Sequence, residues 1–324
     1  MNTPLTKDKI KKVLIIRFSS IGDIVLTTPV IRCVKEQLNC EVHFLTKKPF
    51  ESILISNTHL DKIYTINKKV SEVLPQLKLE KYDAIIDLHK NLRTLQIRQG
   101  LSVPYFSFDK LNWKKWLMVN LKINRLPKIH IVERYMNSVK KLGVVYDGKG
   151  LEPLKTEKQP LDDKIVFVIG GAHATKRLPV SKIISICLKI KSPIILLGGK
   201  EDATIGEEIV LNINEDRVIN MCGKTTLQES IQLIKNARKI ITHDTGMMHI
   251  AASFQKEIIS VWGNTIPEFG MTPFYADGID RNTIVQVDGL SCRPCSKIGF
   301  EKCPKGHFKC MMEIDEEKIV ASLQ

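Results

Sequence analysis

Arg238-Lys239-Ile240-Ile241-Thr242-His243-Asp244-Thr245-Gly246-Met247-Met248-His249-Ile250-Ala251-Ala252-Ser253 is the stretch that decides the fold. Its apolar opening reads as a buried strand, and its small apolar end as the first turns of a packed helix. A carboxylate, a hydroxyl and a glycine therefore sit between the carboxyl end of a strand and a helix start. Open α/β sheets bind their ligands at that place. The unpaired N–H groups of a helix start also favour a phosphate or a hydroxyl-rich ligand. Taken alone, the stretch fits equally a simple N-cap, with Asp244 or Thr245 satisfying those N–H groups.

The same strand, loop and helix grammar repeats on both sides. Upstream in the second half, strands are expected at 164–169, 193–197 and 218–220, each ending in a glycine-bearing or polar loop. Helices follow at 180–189, 203–211 and 227–236, the last capped by Thr226. Downstream, 258–265 reads as a further strand running into a polar loop, and 313–323 as a C-terminal helix. The first half alternates likewise: strands at 13–17, 41–45, 62–66, 83–88 and 103–108, with Pro104 placing the last at a sheet edge. Helices are expected at 25–38, 49–56, 70–79, 89–99 and 129–141. Residues 145–164 lose this periodicity and carry Gly148, Gly150, Pro153 and Pro160 among charged residues, which marks a linker. The domains are drawn as 1–155 and 156–312, with a C-terminal helix at 313–324.

The chain has 324 residues, 43% of them hydrophobic and 26% charged, an ordinary globular composition long enough for about two domains. No apolar run reaches the roughly 18–20 residues that span a bilayer. Met1–Lys12 is polar and lysine-rich, with no signal-peptide core after it, so a cytoplasmic chain is expected. The net charge of +14 is one-sided: residues 1–150 hold 27 Lys and Arg against 13 Asp and Glu, and residues 151–324 hold 22 of each. Either one half meets an acidic partner or it presents a solvated basic face. No helix-turn-helix, zinc-finger or aromatic RNA-binding motif is present, which argues against a nucleic-acid partner. Lys110–Lys122 interleaves Trp113 and Trp116 with lysines, a pattern open to an ordinary amphipathic helix or to contact with a membrane interface.

Two further loops share the chemistry of the opening stretch. Phe18-Ser19-Ser20-Ile21-Gly22-Asp23 follows the first strand, and Gly170-Gly171-Ala172-His173-Ala174-Thr175-Lys176-Arg177-Leu178-Pro179 follows the strand at 164–169. The second is a cradle for a diphosphate, although it lacks the spacing of a P-loop. Together, Leu14–Pro29, Ala174–Pro179, Leu197-Gly198-Gly199-Lys200-Glu201-Asp202 and His243–Ala252 resemble the segments of the lipopolysaccharide heptosyltransferases, glycosyltransferase family nine. They occur in family order from about residue 12 to about residue 312.

The resemblance implies the GT-B architecture: two Rossmann-like domains facing across a central cleft. It implies inverting transfer of a heptose from an ADP-activated donor to an acidic lipopolysaccharide core acceptor. Asp23 would be the general base that takes the acceptor hydroxyl's proton. Ser19, Ser20 and Gly22 would hold the acceptor. Lys176 would neutralise the departing diphosphate, so that no metal or other cofactor is required. Thr175 would bind the same phosphates, and Glu201 the nucleoside hydroxyls. Asp244, Thr245, Gly246, Met247 and His249 would hold the sugar and phosphates. The partners implied are an ADP-sugar, an acidic glycolipid, and peripheral contact with the inner face of the inner membrane. A transferase or epimerase using a different nucleotide sugar is the competing reading.

Of eight cysteines, Cys33, Cys40, Cys187 and Cys222 stand alone and read as buried and inert. Cys292, Cys295, Cys303 and Cys310, with His307 nearby, form a compact set. A structural zinc, free thiols and disulfides all remain open for that set.

Overall fold

The computed structural model describes residues 7–324. Of the polar leader read at Met1–Lys12, residues 1–6 lie outside the described residues. Two compact units divide the chain: the first takes the described chain to Lys110 together with Ile129–Lys155, the second takes Leu111–Lys128 together with Thr156–Gln324.

The first unit is built on β1 (Lys12–Ile16), α1 (Ile21–Val25), α2 (Thr28–Leu38), β2 (Glu41–Lys47), α3 (Glu51–Leu54), β3 (Lys62–Ile66), α4 (Leu74–Leu79), β4 (Ala84–Asp87), α5 (Leu92–Leu101) and β5 (Tyr105–Ser107). Next in the chain, α6 (Asn112–Leu121) belongs to the second unit, and α7 (Ile131–Val139) returns to the first. The five strands are parallel in the order β3-β2-β1-β4-β5. A parallel sheet covered on both faces calls for strands that are apolar throughout, and Val13–Ile16 and Ala84–Ile86 are fully buried. β5 is an edge strand, as Pro104 indicates; the Pro104 carbonyl still accepts the N–H of Ile85 at 2.9 Å. The helix read at 25–38 is two helices, because the chain turns at Thr27 before Pro29 starts α2.

In the second unit follow β6 (Ile165–Val168), α8 (Val180–Lys189), β7 (Ile194–Leu197), α9 (Ala203–Ile213), β8 (Val218–Asn220), α10 (Leu227–Asn236), β9 (Lys239–His243), α11 (Gly246–Ser253), β10 (Glu257–Trp262), β11 (Asn282–Gln286), α12 (Lys309–Met312) and α13 (Glu316–Ala321). The sheet order is β11-β10-β9-β6-β7-β8, again all parallel. β11 has no counterpart among the sequence expectations: only Ile284 and Val285 of its five residues are apolar, and it sits at an edge. Thr226 caps α10 as expected, accepting the N–H of Glu229.

These strand orders fix where ligands belong. In the first unit the order reverses between β1 and β4, and in the second between β6 and β9. At each reversal the two following loops part, leaving a crevice outside the carboxyl ends of the strands. The segments 17–23 and 88–91 flank the first crevice, and 169–179 and 244–246 the second.

Candidate active site

At the crevice of the second unit, β6 and β9 carry their loops to a shared ion pair. Lys176 Nζ lies 2.5 Å from Asp244 Oδ2 and 3.3 Å from the Asp244 carbonyl. Thr265, after β10, donates its hydroxyl to the same carboxylate oxygen at 3.0 Å. Both charged side chains retain an opening to solvent. Thr245 stands at the N-cap of α11 with extended backbone, yet its side chain caps no helix N–H. The plain capping reading of this stretch therefore fails, and among the described residues no side chain caps the first N–H groups of α11, which lie beside a lysine. His243 is fully buried beneath the loop, and its Nε2 accepts the N–H of Leu178 at 3.0 Å. Burial pushes its imidazolium down to about 4, so the ring is neutral and can accept.

Glu201 is exposed beyond β7 and makes no hydrogen bond or ion pair among the described residues, which leaves its carboxylate open to a ligand's hydroxyl groups. Its neighbour Asp202 is buried and organises the loops. Its carboxylate accepts the Gly199 N–H at 2.9 Å and Arg177 Nη1 at 3.0 Å. A Cβ on Gly170 would stand 2.3 Å from Asp202 Oδ2, and one on Gly198 would stand 2.8 Å from it, so glycine is required where these loops close on the carboxylate. Thr175 is only 2% exposed. Its hydroxyl donates to the Phe300 carbonyl at 3.0 Å and accepts the Phe300 N–H at 2.8 Å. That pairing holds the irregular 296–300 segment against the loop and leaves the hydroxyl facing backbone. Along α11, Gly246 and Met247 are half-buried, while Met248 and His249 are buried.

At the crevice of the first unit, Arg17 follows β1 and is almost wholly buried. Its Nη2 lies 2.8 Å from Asp23 Oδ1, Nε donates to the Ser19 carbonyl at 2.7 Å, and Nη1 donates to the Leu88 carbonyl at 2.6 Å and to Tyr135 Oη at 3.0 Å. Burial opposes the guanidinium charge, but Tyr135 and Asp23 outweigh it, and its pKa ends above the ordinary value. Asp23 Oδ2 accepts the Ser20 N–H at 3.2 Å and the Ser20 hydroxyl at 3.0 Å. Asp23 thus caps α1 and keeps a partly open carboxylate, while Gly22 is buried within the helix. Ser19 is half-buried and Ser20 exposed. From β4, buried Asp87 accepts the N–H groups of His89 and Lys90 at 3.0 and 2.6 Å and shapes the second loop. Burial, then Arg17, pushes the His89 imidazolium down to about 3.

A family model for glycosyltransferase family 9 (heptosyltransferase) matches residues 70–302. The chain belongs to glycosyltransferase family 9. It is 27% identical over 344 aligned positions to the lipopolysaccharide heptosyltransferase 1 of Campylobacter coli, covering 95% of this chain and 97% of that one. The solved glycosyltransferase family 9 protein of Veillonella parvula has TM-score 0.75 at 21% identity over 96% of both chains. The E. coli heptosyltransferase WaaC with ADP-2-deoxy-2-fluoro heptose has TM-score 0.64 at 17% identity, over 86% of this chain and 94% of that one. As a family 9 member the chain is a sugar transferase with the GT-B fold.

This transferase brings together Lys176, Asp244, Thr245 and Gly246 in one unit, and Ser19, Ser20 and Asp23 in the other. It withdraws Thr175, His249 and Gly22 from the surface. Arg17, Arg177, Asp202 and Thr265 were missed as organisers of the site. A signal existed for Arg17, the one charge at the end of an otherwise apolar strand.

Among the described residues, no three sulfurs of the cysteine set lie at the mutual spacing of a shared metal ion's ligands. All eight cysteines are free thiols, which removes the disulfide reading. Among the described residues, the group of three metal-capable side chains with ligand atoms all within 4.8 Å of one another is Glu41, His43 and Glu80, and the four thiols form no such group. Cys295 donates to the Cys292 carbonyl at 3.1 Å, Cys292 Sγ lies 3.8 Å from His307 Nε2, and Cys310 is buried in the core. Burial, and after it the neighbouring thiols of the set, push the Cys295 thiol up to about 11 and that of Cys310 up to about 12. Glu41 and Glu80 are themselves taken by lysines: Lys12 Nζ lies 3.0 and 2.7 Å from them, and Lys62 Nζ lies 2.7 Å from Glu80.

Proposed function

We propose that the chain transfers a heptose from ADP-heptose to an acidic lipopolysaccharide core acceptor, with inversion at the anomeric carbon. The observation that carries this reading is the Lys176–Asp244 pair at the uncapped start of α11, set at a sheet's point of reversal. A diphosphate fits that place, since it meets helix N–H groups and an ammonium together. Glu201 supplies an open carboxylate for the nucleoside hydroxyls.

The acceptor hydroxyl attacks the anomeric carbon, and Asp23 takes its proton as the new C–O bond forms. The bond from the anomeric carbon to the phosphate oxygen breaks, and the electron pair leaves on ADP. Lys176 and the α11 N–H groups stabilise that developing charge, so binding is strongest where charge is greatest. Asp244, once the diphosphate draws Lys176, is free to accept from sugar hydroxyls. Arg17 fixes the direction of the Asp23 carboxylate. The acceptor is a glycolipid, so the enzyme works at the membrane surface where that lipid lies, and the basic excess of residues 1–150 suits its phosphates and carboxylates.

The test is Asp23→Asn, assayed with ADP-heptose and a core acceptor. We expect kcat to fall by about 10²–10⁴, with ADP binding by calorimetry unchanged. Wild-type transfer by that variant removes the base assignment. A thermal-shift panel of ADP, UDP and GDP sugars tests the donor; stabilisation by a UDP sugar and none by ADP-heptose removes that part.

A further inference from the structure

Helix α6 is apolar in sequence yet has no buried residue. Trp113 is 67% exposed and Trp116 47%, and their rings stack 5.1 Å apart with planes 5° from parallel. Leu121 and Ile123, just beyond, are 54% and 44% exposed. At helical spacing Trp113, Trp116, Leu117 and Asn120 share one face, exposed except at the half-buried Leu117. The opposite side carries the half-buried Lys115, Met118 and Val119, with Lys115 Nζ placed 5.5 Å from the Phe269 ring centre. The aromatic face is thus the outward one. Lys122 anchors the end of the helix, donating to the carbonyls of Cys292 and Pro294 at 3.1 and 2.6 Å.

The charges around this face are of one sign. From Lys110 to Val132 there is no Asp or Glu. Lys114, Arg125 and Lys128 are exposed and have no acidic partner among the described residues. Among the described residues, no ion pair uses these three charges.

We propose that the outward face of α6, continued to Lys128, docks on an anionic lipid bilayer. Tryptophan rings are amphipathic and settle at headgroup depth. Unpaired Lys and Arg interleaved with them select anionic headgroups. A second copy of the chain is the poorer occupant: it would set Lys114, Arg125 and Lys128 against their own kind, and lysine is depleted at protein interfaces. A ten-residue helix is about 15 Å long, so it lies in the interface and does not cross it; no helix among the described residues is long and apolar enough to do so. The purpose of this docking rests on the glycolipid reading above, whereas its grounds are the surface itself.

The experiment is flotation of the full chain with vesicles of phosphatidylethanolamine and phosphatidylglycerol, against vesicles of phosphatidylcholine alone. We expect binding to the anionic vesicles, lost at least tenfold in Trp113→Ser/Trp116→Ser. Lys114→Glu/Arg125→Glu/Lys128→Glu should remove the preference for the anionic vesicles. The chain has three tryptophans, and the third, Trp262, is buried. Brominated lipid should therefore quench wild-type fluorescence and leave the double variant unquenched. Equal thermal melting of all three proteins verifies their folding. Equal vesicle binding by wild type and variants, or none by wild type, overturns the proposal. So does a wild-type dimer in light scattering that the tryptophan variant abolishes while vesicle binding is unchanged. Transfer to a deacylated, soluble acceptor separates the two readings: the double variant should retain it. Its absence from wild type would count against the transferase reading and leave the vesicle result standing.

Discussion

Lys176 reaches across the point where the second sheet reverses and pairs with Asp244, 2.5 Å away. The pair gives a crevice that is electrically balanced when empty. On the function proposed above, an arriving diphosphate would exchange one anionic partner of the lysine for another, and so would not leave an ammonium to be desolvated alone.

Lys176→Ala should lower kcat by about 10²-fold or more, as removal of a transition-state charge donor does, and should weaken ADP. Asp244→Asn should leave ADP affinity within a few-fold of wild type and raise the KM for the sugar donor. Steady-state kinetics and calorimetry check both. Unaltered kcat in Lys176→Ala would mean that the lysine serves only the empty site.

Arg17→Met should destabilise the protein by about 3–5 kcal/mol, the cost of removing one partner of a buried pair. It takes the Arg17 donor from the Leu88 carbonyl and one charge partner from Asp23, which keeps Ser20. Arg17→Lys should not restore activity, because one ammonium cannot span Ser19, Leu88, Tyr135 and Asp23 at once. Urea melts and initial rates read the two effects separately.

Thr175→Val should cost about 1–3 kcal/mol, since it leaves the Phe300 N–H and carbonyl without their side-chain partner. Thr175→Ser should be near wild type. Donor KM should move little in either variant, whereas a large rise in Thr175→Val that Thr175→Ser does not share would return the hydroxyl to the phosphates.

His243 gives a pH dependence with a definite sign. Its folded pKa is depressed to about 4, below the ordinary value of 6.5. Above pH 6.5 both folded and unfolded forms are neutral, and it contributes no slope. As pH falls from 6.5 towards 4 the unfolded chain binds the proton first, so stability is lost across that window, by about 3 kcal/mol in total. Denaturant midpoints at pH 7, 5.5 and 4.5 should show the decline. His243→Gln, which can still accept the Leu178 N–H, should flatten it.

Chelation by EDTA should leave the melting temperature unchanged, because among the described residues no three of Cys292, Cys295, Cys303 and Cys310 hold their sulfurs within 4.8 Å of one another. A fall on chelation, with zinc found by elemental assay, would reverse that conclusion.

The sheets were readable because parallel strands buried on both faces leave a local mark: four or five consecutive apolar residues, then a polar loop. β11 escaped because an edge strand such as Asn282–Gln286 needs no such run. The loops around Asp23, Lys176 and Asp244 were legible through their motifs. What those side chains touch was not, since each partner is set by the sheet and not by the neighbouring sequence. Arg17 with Leu88, and Asp202 with Arg177, meet only when strands distant in sequence lie side by side. Thr175 is the sharpest case. Its place in a phosphate loop suggested a ligand, but its partner, Phe300, lies in a segment with no periodicity to read.

Leu111–Lys128 also sets a timetable. Lys122 contacts Cys292 and Pro294, 170 and 172 positions later in the chain. At a synthesis rate of about 5–20 residues per second, those partners leave the ribosome roughly 10–30 s after the helix does. Residues up to Lys155 complete the first unit in the interval. A nascent chain thus carries one finished sheet and an orphaned tryptophan helix that belongs to a sheet not yet made. Until then the side of the helix that carries Met118 and Val119 lacks the second unit to which the helix belongs.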